Sequence, residues 1–456
     1  MSTVVMKFGG TSVASAEKIR AAAKRAIRKH RKGQQVVMVV SAMGKTTDTL
    51  VDLADQVTPK LPEPPRREMD QLLATGEQVT ISLMAMALTD MGAEAISFTA
   101  GQIGIITDDV HTKAKIKSID VKRIAQQLDA GRIVIVAGFQ GITEEGHPTT
   151  LGRGGSNVSL VAIAAALDAE VCENYTDVDG IFTADPRIVP NARKIKEISY
   201  DEMLELSSLG ASVLHNRAVE FAKKYDVPIH VRSSMNNRKG TFIVSETESM
   251  ERIVVSGAAL KESLARVSLR EVPDKPGVAA EIFSTLAKAD IVVDDIIQTL
   301  DEEGLADISF TVDLSDLPTT RDVVGKLKKD LNCITKVEEH FSKVSVVGMG
   351  MRIHTGVAET MFSTLAKAGI NIQNITTSEI KISCLINEND GREALRLVHD
   401  AFNLGGAPKK GKARKTKKAK KAKSPRKAAS TGKGKTRKAT KARKSKKTRK
   451  ASKAKK

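Results

Sequence analysis

The sequence is poor in cysteine and in long apolar runs, and its last 48 residues lack every acidic, aromatic and bulky apolar side chain. Cys172, Cys333 and Cys384 are the three cysteines of a 456-residue chain. They stand too far apart for a disulfide framework or a zinc site, and read as small core residues of a cytoplasmic protein. No window approaches 18 consecutive apolar residues, so no membrane association is expected. The N-terminus runs straight into an apolar strand, without the charged-then-apolar pattern of a signal peptide. Eight scattered histidines without HExxH or CxxC spacing give no sign of a metal cage built by the protein alone.

The formal charge of +19 is unevenly held. Residues 409–456 contain 26 Lys or Arg, so the remainder keeps 47 of the 73 basic residues against 54 acidic ones, a net of −7. The tail, counted from residue 404 as a separate segment, has too little apolar surface to bury and reads as disordered on its own. It resembles the Lys-rich tails of linker histones. Without aromatic residues for base stacking it suits a phosphate backbone or another polyanion, bound without sequence preference and weakened by salt.

Length allows two to four domains. Over residues 1–245, strand candidates at 35–41, 94–99, 132–138 and 228–233 alternate with helix candidates at 15–31, 68–90, 117–130, 156–168 and 200–225. Alternation of this kind predicts an α/β sandwich with a mainly parallel sheet, whose ligands bind at the carboxyl ends of the strands. The first dozen residues carry the clearest signal. Val4–Met6 reads as a buried strand, followed by Lys7, Phe8, Gly9, Gly10, Thr11 and Ser12 ahead of a helix. Adjacent glycines before a helix N-terminus let backbone N–H groups approach an anion, and a lysine there can reach a phosphoryl group. A tight turn with a solvated lysine is the plainer alternative for this stretch alone.

The later loops repeat the theme. Gly44-Lys45-Thr46 hints at a P-loop, but that motif needs glycine where Val39 stands. Glu77, in Thr75-Gly76-Glu77-Gln78, can pair with a substrate ammonium or be an ordinary helix carboxylate. Thr150-Leu151-Gly152-Arg153-Gly154-Gly155-Ser156-Asn157 places an arginine between glycines at a helix start, a clamp for carboxylate or phosphate. Asp177, Asp179 and Asp185 lie in turns suited to Mg²⁺ or ribose hydroxyls, though aspartate is common in turns for structural reasons too.

Taken in order, KFGGTSV (7–13), VSAMG (40–44), TGEQ (75–78), TLGRGGS (150–156) and YTDVDGIFTADPR (175–187) resemble the aspartokinases, of the amino-acid kinase fold. The resemblance covers about residues 1–403. It implies transfer of the ATP γ-phosphoryl group to the side chain of L-aspartate, with Mg²⁺, in lysine, threonine and methionine biosynthesis. By position, Lys7 stabilises the transition state, while Phe8, Gly9, Gly10 and Ser41 hold phosphates. Thr176, Asp177, Phe182, Thr183, Ala184, Asp185, Pro186 and Arg187 bind the nucleotide. Thr47, Glu77, Arg153, Gly154, Gly155 and Ser156 hold aspartate, with Arg153 on its α-carboxylate. The family usually has aspartate where this chain has Asn157, which suggests reduced activity or altered preference. Another carboxylate kinase, or a nucleic-acid-binding protein with a degenerate kinase body, remains the alternative.

Residues 246–403 contain an internal repeat. Phe283–Ala289 recurs identically as Phe362–Ala368, each copy after a Gly-Val-Ala turn and before an Ile-rich strand (291–297, 370–376). Two βαββαβ-like units, at 262–340 and 341–403, are expected. They resemble ACT domains, the amino-acid-sensing modules of aspartokinases. The resemblance implies lysine or threonine as effector, homo-oligomer formation through these units, and an effector site drawn from Asp274, Gly277, Val278, Ala279 and Gln298 in the first copy, with Val357, Ala358, Asn371, Ile372 and Ser378 in the second. Met250 is placed for an internal start of the regulatory part, although an ordinary methionine is the plainer reading.

Overall fold

A computed structural model describes residues 2–210, 213–246, 254–300, 304–352 and 354–406. Met250 and the basic tail from Ala407 onward lie outside the described residues. The first part is built on strands β1 (Thr3–Phe8), β2 (Gln35–Val40), β3 (Ala95–Phe98), β4 (Ile105–Thr107), β5 (Ile116–Ile119), β6 (Ile133–Ala137), β7 (Gln140–Ile142), β8 (Pro148–Thr150), β9 (Val171–Thr176), β10 (Glu197–Ser199), β11 (Ile229–Ser233) and β12 (Thr241–Val244). Between them lie helices α1 (Ala16–His30), α2 (Thr46–Val57), α3 (Arg66–Asp90), α4 (Lys122–Asp129), α5 (Gly155–Ala166), α6 (Tyr200–Ser208) and α7 (Asn216–Tyr225).

Among the described residues the main sheet has the order β10-β12-β11-β9-β1-β2-β6-β3, parallel except where β12 meets β11. Its central strands β1, β2 and β6 are apolar almost throughout because both faces are covered, with Lys7 near the carboxyl end of β1 a marked exception. Val4, Met6, Phe8, Met38 and Val40 face α1 and α3, while Val5, Val37 and Val39 face the layer containing α5 and α7. Ser15 caps α1 by accepting from the Lys18 N–H, with Glu17 in the first turn and Arg28, Lys29 and His30 in the last, as the helix dipole favours. Strands β5-β4-β7-β8 form a smaller sheet beside the site.

The regulatory part follows with β13 (Gly257–Pro273), α8 (Val278–Lys288), β14 (Asp294–Leu300), β15 (Leu305–Asp313), α9 (Leu317–Asp330), β16 (Ile334–Val347), α10 (Val357–Lys367), β17 (Asn374–Thr377), β18 (Lys381–Asn387) and α11 (Gly391–Ala401). The identical heptads sit at matching places in α8 and α10, where Leu286 and Leu365 are buried. The two units are less separable than the repeat suggests. One six-stranded sheet, β14-β15-β13-β16-β18-β17, serves both, because β13 and β16 are long enough to run through each. The second unit takes its fourth strand from Gly257–Lys261, ahead of the first unit in sequence. Buried Lys343 on β16 ties the pair together through Asp294 (2.5 Å) and Asp295 (2.8 Å), and the Thr376 hydroxyl of β17 donates to Asp295.

Three local expectations change. Residues 117–130 open as strand β5 before α4, and 200–225 is two helices parted at Gly210, whose φ of +101° stops the first. Helix α2 has no buried residue and so no core stripe to betray it. Helix α3 reaches the length and mean hydropathy of a membrane span, but it packs on the sheet and buries Asp70 and Glu77.

Candidate active site

The strand ends of the main sheet gather the sequence-selected loops. The Ser41 N–H donates to the Phe8 carbonyl and the Gly44 N–H to that of Gly10, which stitches the loop after β2 onto the loop after β1. Gly10 is required by this approach, since a Cβ there would lie 2.9 Å from the Ala42 carbonyl oxygen. Phe8 stacks on Tyr175, ring centroids 4.7 Å apart, and the Gly9 N–H reaches the Tyr175 carbonyl from the neighbouring strand.

Lys7 points into this corner. It is only 9% exposed, and among the described residues its ammonium makes no hydrogen bond or ion pair. Burial lowers its pKa to about 8, against a partial opposing effect from the charge of Asp177. A buried ammonium left without a counter-ion, beside glycine backbone, is poised for an anionic ligand.

Glu77 reaches the same loops from helix α3. Helix α3 presses against the 41–44 loop, and the Glu77 Oε1 accepts the Ala42 N–H at 2.9 Å. Its Oε2 is buried with no hydrogen-bond partner. Burial pushes its pKa up to about 7. Folding therefore favours the protonated form, and that contribution to stability is present below the ordinary carboxylate range and lost as pH rises through 7. Glu77→Gln is expected to stabilise the free protein at pH 8 by on the order of 1–3 kcal/mol, with little gain at pH 5. Thermal unfolding at the two pH values checks this; an equal change at both would remove Glu77 as the titrating group.

Arg153 stands on the loop before α5, exposed and, among the described residues, without hydrogen bond or ion pair. Gly154 is the N-cap at φ +71°, and a Cβ on it would come within 2.3 Å of the His215 side chain. Ser156 Oγ, at the start of α5, accepts from Ser41 Oγ at 3.0 Å, which joins the arginine loop to the phosphate corner. Asn157 follows it, with a buried Oδ1 that lacks a partner. Thr47 lies half-buried in the first turn of α2.

Several supporting residues escaped the sequence reading. Fully buried Asp70 accepts from Thr150 Oγ1 (2.5 Å), from the Thr112 N–H and from His111, which braces the chain leading to Arg153. Arg217 donates to the carbonyls of Leu151 and Ala114, each at 2.7 Å. Asp70 and Glu77 are seven residues apart, hence on one helical face, and two carboxylates in one apolar stripe were a signal available in the sequence. Under Tyr175, burial alone would raise the pKa of Glu173, yet His230, Lys29 and Arg232 hold it at about 2.

The 176–187 loop divides. Asp177 is exposed and accepts from the Thr176 hydroxyl at 3.0 Å. Asp179 is held by Asn236 and Arg238, and Asp185 by a bidentate contact from Arg187. Phe182 pairs with Lys194, and Pro186 lies in the turn between Asp185 and Arg187. Thr183 and Ala184 are instead buried against the regulatory part, and the hydroxyl of Thr183 is engaged by Leu404, His399 and Arg193, so neither side chain faces a ligand.

Residues 2–233 match the amino acid kinase family, and 267–332 and 344–402 each match the ACT domain. Aspartokinase 2 of Bacillus subtilis is 51% identical over 409 residues, covering 90% of this chain and 99% of that protein. The chain belongs to the aspartokinase family. Among solved structures, E. coli aspartokinase III in complex with aspartate and ADP (R-state) superposes with a TM-score of 0.74 at 26% identity, over 87% of this chain and 99% of that one. The same enzyme in complex with lysine and aspartate (T-state) gives 0.71 at 26% identity, over 88% and 99%.

The expected effector residues fall into two groups on the regulatory sheet. Asp274, Gly277, Val278 and Ala279 form the turn into α8, with Gln298 exposed on edge strand β14. Val357 and Ala358 open α10, Asn371 and Ile372 precede β17, and Ser378 turns between β17 and β18. A cavity of about 290 Å³, lined in part by Arg266, Arg270, Asp307, Gln373 and Asn374, lies where the two units meet.

Proposed function

We propose that the cleft between Lys7, Glu77 and Arg153 transfers the γ-phosphoryl group of ATP to the side-chain carboxylate of L-aspartate, giving 4-phospho-L-aspartate and ADP. The observation that carries this reading is the buried, unpaired Lys7 ammonium at the carboxyl end of two parallel strands. Phosphoryl transfer between two anions needs positioning and positive charge more than covalent chemistry. Lys7, with the Gly10 N–H and the side-chain-free backbone at Gly9, takes the transferring phosphoryl group, and Ser41 supports it. Asp177 and the 182–187 loop hold the nucleoside side of ATP. Arg153, at the start of α5, takes the α-carboxylate of aspartate, and the orphaned oxygen of Glu77 takes its ammonium.

Mg²⁺ fits this arrangement as a phosphate-held ion. The described residues contain no group of three side chains able to cage a metal, and exposed Asp177 offers one carboxylate, in keeping with the habit of Mg²⁺ to keep waters and bind through substrate phosphates. When bound, the ion neutralises charge on the phosphates. An ATP- and aspartate-dependent hydroxamate assay on the purified protein tests the activity; failure with aspartate but turnover with another carboxylate would favour the wider amino-acid kinase reading. Asn157→Asp, which puts a charge at this half-buried position, is expected to lower the aspartate KM or raise kcat, and unchanged kinetics would make Asn157 a neutral replacement.

The regulatory part supports feedback by lysine or threonine, with lysine named in a related T-state complex, and pairing with a second copy. Val292, Ile296 and Leu300 on and beside edge strand β14, and Ile375 on edge strand β17, are exposed apolar residues such pairing would cover. Three unpaired, buried cysteines accord with a cytoplasmic location. The basic tail is assigned to DNA or another polyanion on charge alone. Comparing the full chain with residues 1–405 in a salt titration against duplex DNA tests that assignment, and equal binding by both would end it.

A further inference from the structure

Thr183 belongs to the loop assigned above to the nucleotide, yet all its polar groups are already engaged, three of the contacts being with the regulatory part. Its N–H donates to the Arg193 carbonyl at 2.9 Å, and its carbonyl accepts the Ala258 N–H at 2.8 Å. Its hydroxyl donates to the Leu404 carbonyl at 3.1 Å and accepts the Arg193 N–H at 2.9 Å. His399 Nε2, on α11, lies 3.0 Å from the same oxygen. A hydroxyl has one proton and two lone pairs, so with those partners in place the histidine must be the donor. That places a proton on His399 Nε2. Its Nδ1 is buried and makes no hydrogen bond, with the Asp400 carboxylate 3.7 Å away, and desolvation lowers the pKa against the opposing pull of Asp400.

The surrounding contacts follow the same line. Ala184 and Val189 pack in one core with Val255, Ala258, Leu395 and Leu404. Ala192 pairs with Gly405, the Gly406 N–H reaches the Asn191 carbonyl, and Arg396 donates to the Ile188 carbonyl at 2.9 Å. The last helix of the regulatory part and the residues after it therefore form the floor of the loop. On the upper side, Asp185 grips Arg187, whose guanidinium feels the charge of Asp177, and Asp177 in turn acts on Lys7.

We infer that α11 and residues 402–406 set the position of the 182–187 loop, with His399 a positioning residue that acts through Thr183, so that this contact couples the regulatory part to nucleotide binding. The inference rests on the reading that this loop meets the nucleotide. Coupling between sites is reciprocal, so a nucleotide must tighten the floor as much as the floor tightens the nucleotide.

Hydrogen exchange on the full chain, with and without Mg–ADP, tests it. ADP is expected to slow exchange of the Phe402, Leu404 and Gly406 amides about 5-fold or more, together with amides of 176–187. Thr183→Val keeps the side-chain volume and removes the hydroxyl. It is expected to abolish the slowing at 402–406 and raise the ATP KM about 10-fold with the aspartate KM unchanged, and Thr183→Ser to restore both. A merely structural Thr183 would lower the melting temperature and kcat without separating the two KM values. Protection of 176–187 by ADP with no change at 402–406 in the wild-type protein overturns the coupling and leaves the nucleotide reading intact. Protection of neither segment overturns both.

Discussion

Lys7→Ala is expected to lower kcat about 100-fold or more, with a modest rise in the ATP KM. The lysine reaches the corner from β1, behind Gly9, and burial has stripped it of most of its water. Charge that develops on the transferring phosphoryl group then meets an ammonium already in place, in a site where water screens little. The same burial separates a chemical effect from a folding defect. With a folded pKa of about 8 against an ordinary 10.5, the unfolded chain binds this proton more tightly. Lys7 thus costs stability at neutral pH, and the cost fades as pH rises from 8 towards 10.5. Lys7→Met is expected to gain up to about 3 kcal/mol over wild type at pH 7 and little at pH 10, while remaining as inactive as Lys7→Ala. Near-normal turnover in either variant would take Lys7 out of the mechanism.

The parallel core was legible because burial on both faces leaves strands such as Val36–Val40 no polar position, and a run of that kind has few other homes. The glycine loops were legible for a related reason. Gly10 and Gly154 stand where another backbone or side chain occupies the Cβ volume, so residue type and geometry speak together. The second wall of supports was not legible. Asp70, Arg217 and Glu173 act through partners 41 to 144 residues away, and no local spacing records such a distance. Asp70 came nearest to betraying itself, through its seven-residue offset from Glu77.

The regulatory repeat misled about boundaries while being right about kind. Seven identical residues mark two equal helices, but they say nothing of strands shared between the units. The polar run Lys261-Glu262-Ser263 marks where β13 shifts register and passes from one unit to the other, but such a run reads as readily as a turn between two strands as a break within one. Thr183 shows the same limit at the site. A threonine inside a nucleotide-loop motif looks like a ligand contact, whereas its hydroxyl is saturated by Arg193 together with two residues more than 200 positions later.

Arg153→Ala is expected to raise the aspartate KM about 100-fold, with the ATP KM within a few-fold of wild type. Two charge-assisted hydrogen bonds from one guanidinium to one carboxylate contribute about 1.5–3 kcal/mol each, less what the exposed arginine already gains from water. The free side chain has no protein carboxylate to leave, so substrate binding breaks no ion pair. Its loop is also prepared. Gly152 and Gly154 take positive φ on either side of it, Asp70 anchors Thr150, and Arg217 holds the Leu151 carbonyl. Arg153→Lys keeps the charge but loses the planar fork, and is expected to fall between, with an aspartate KM about 10-fold above wild type. The ordering of the three proteins matters more than any single value. If lysine performs as well as arginine, Arg153 acts as a point charge and the bidentate clamp is wrong. If alanine does as well, the α-carboxylate binds elsewhere, and the orphaned oxygens of Glu77 and Asn157 become the first places to look for how aspartate is oriented.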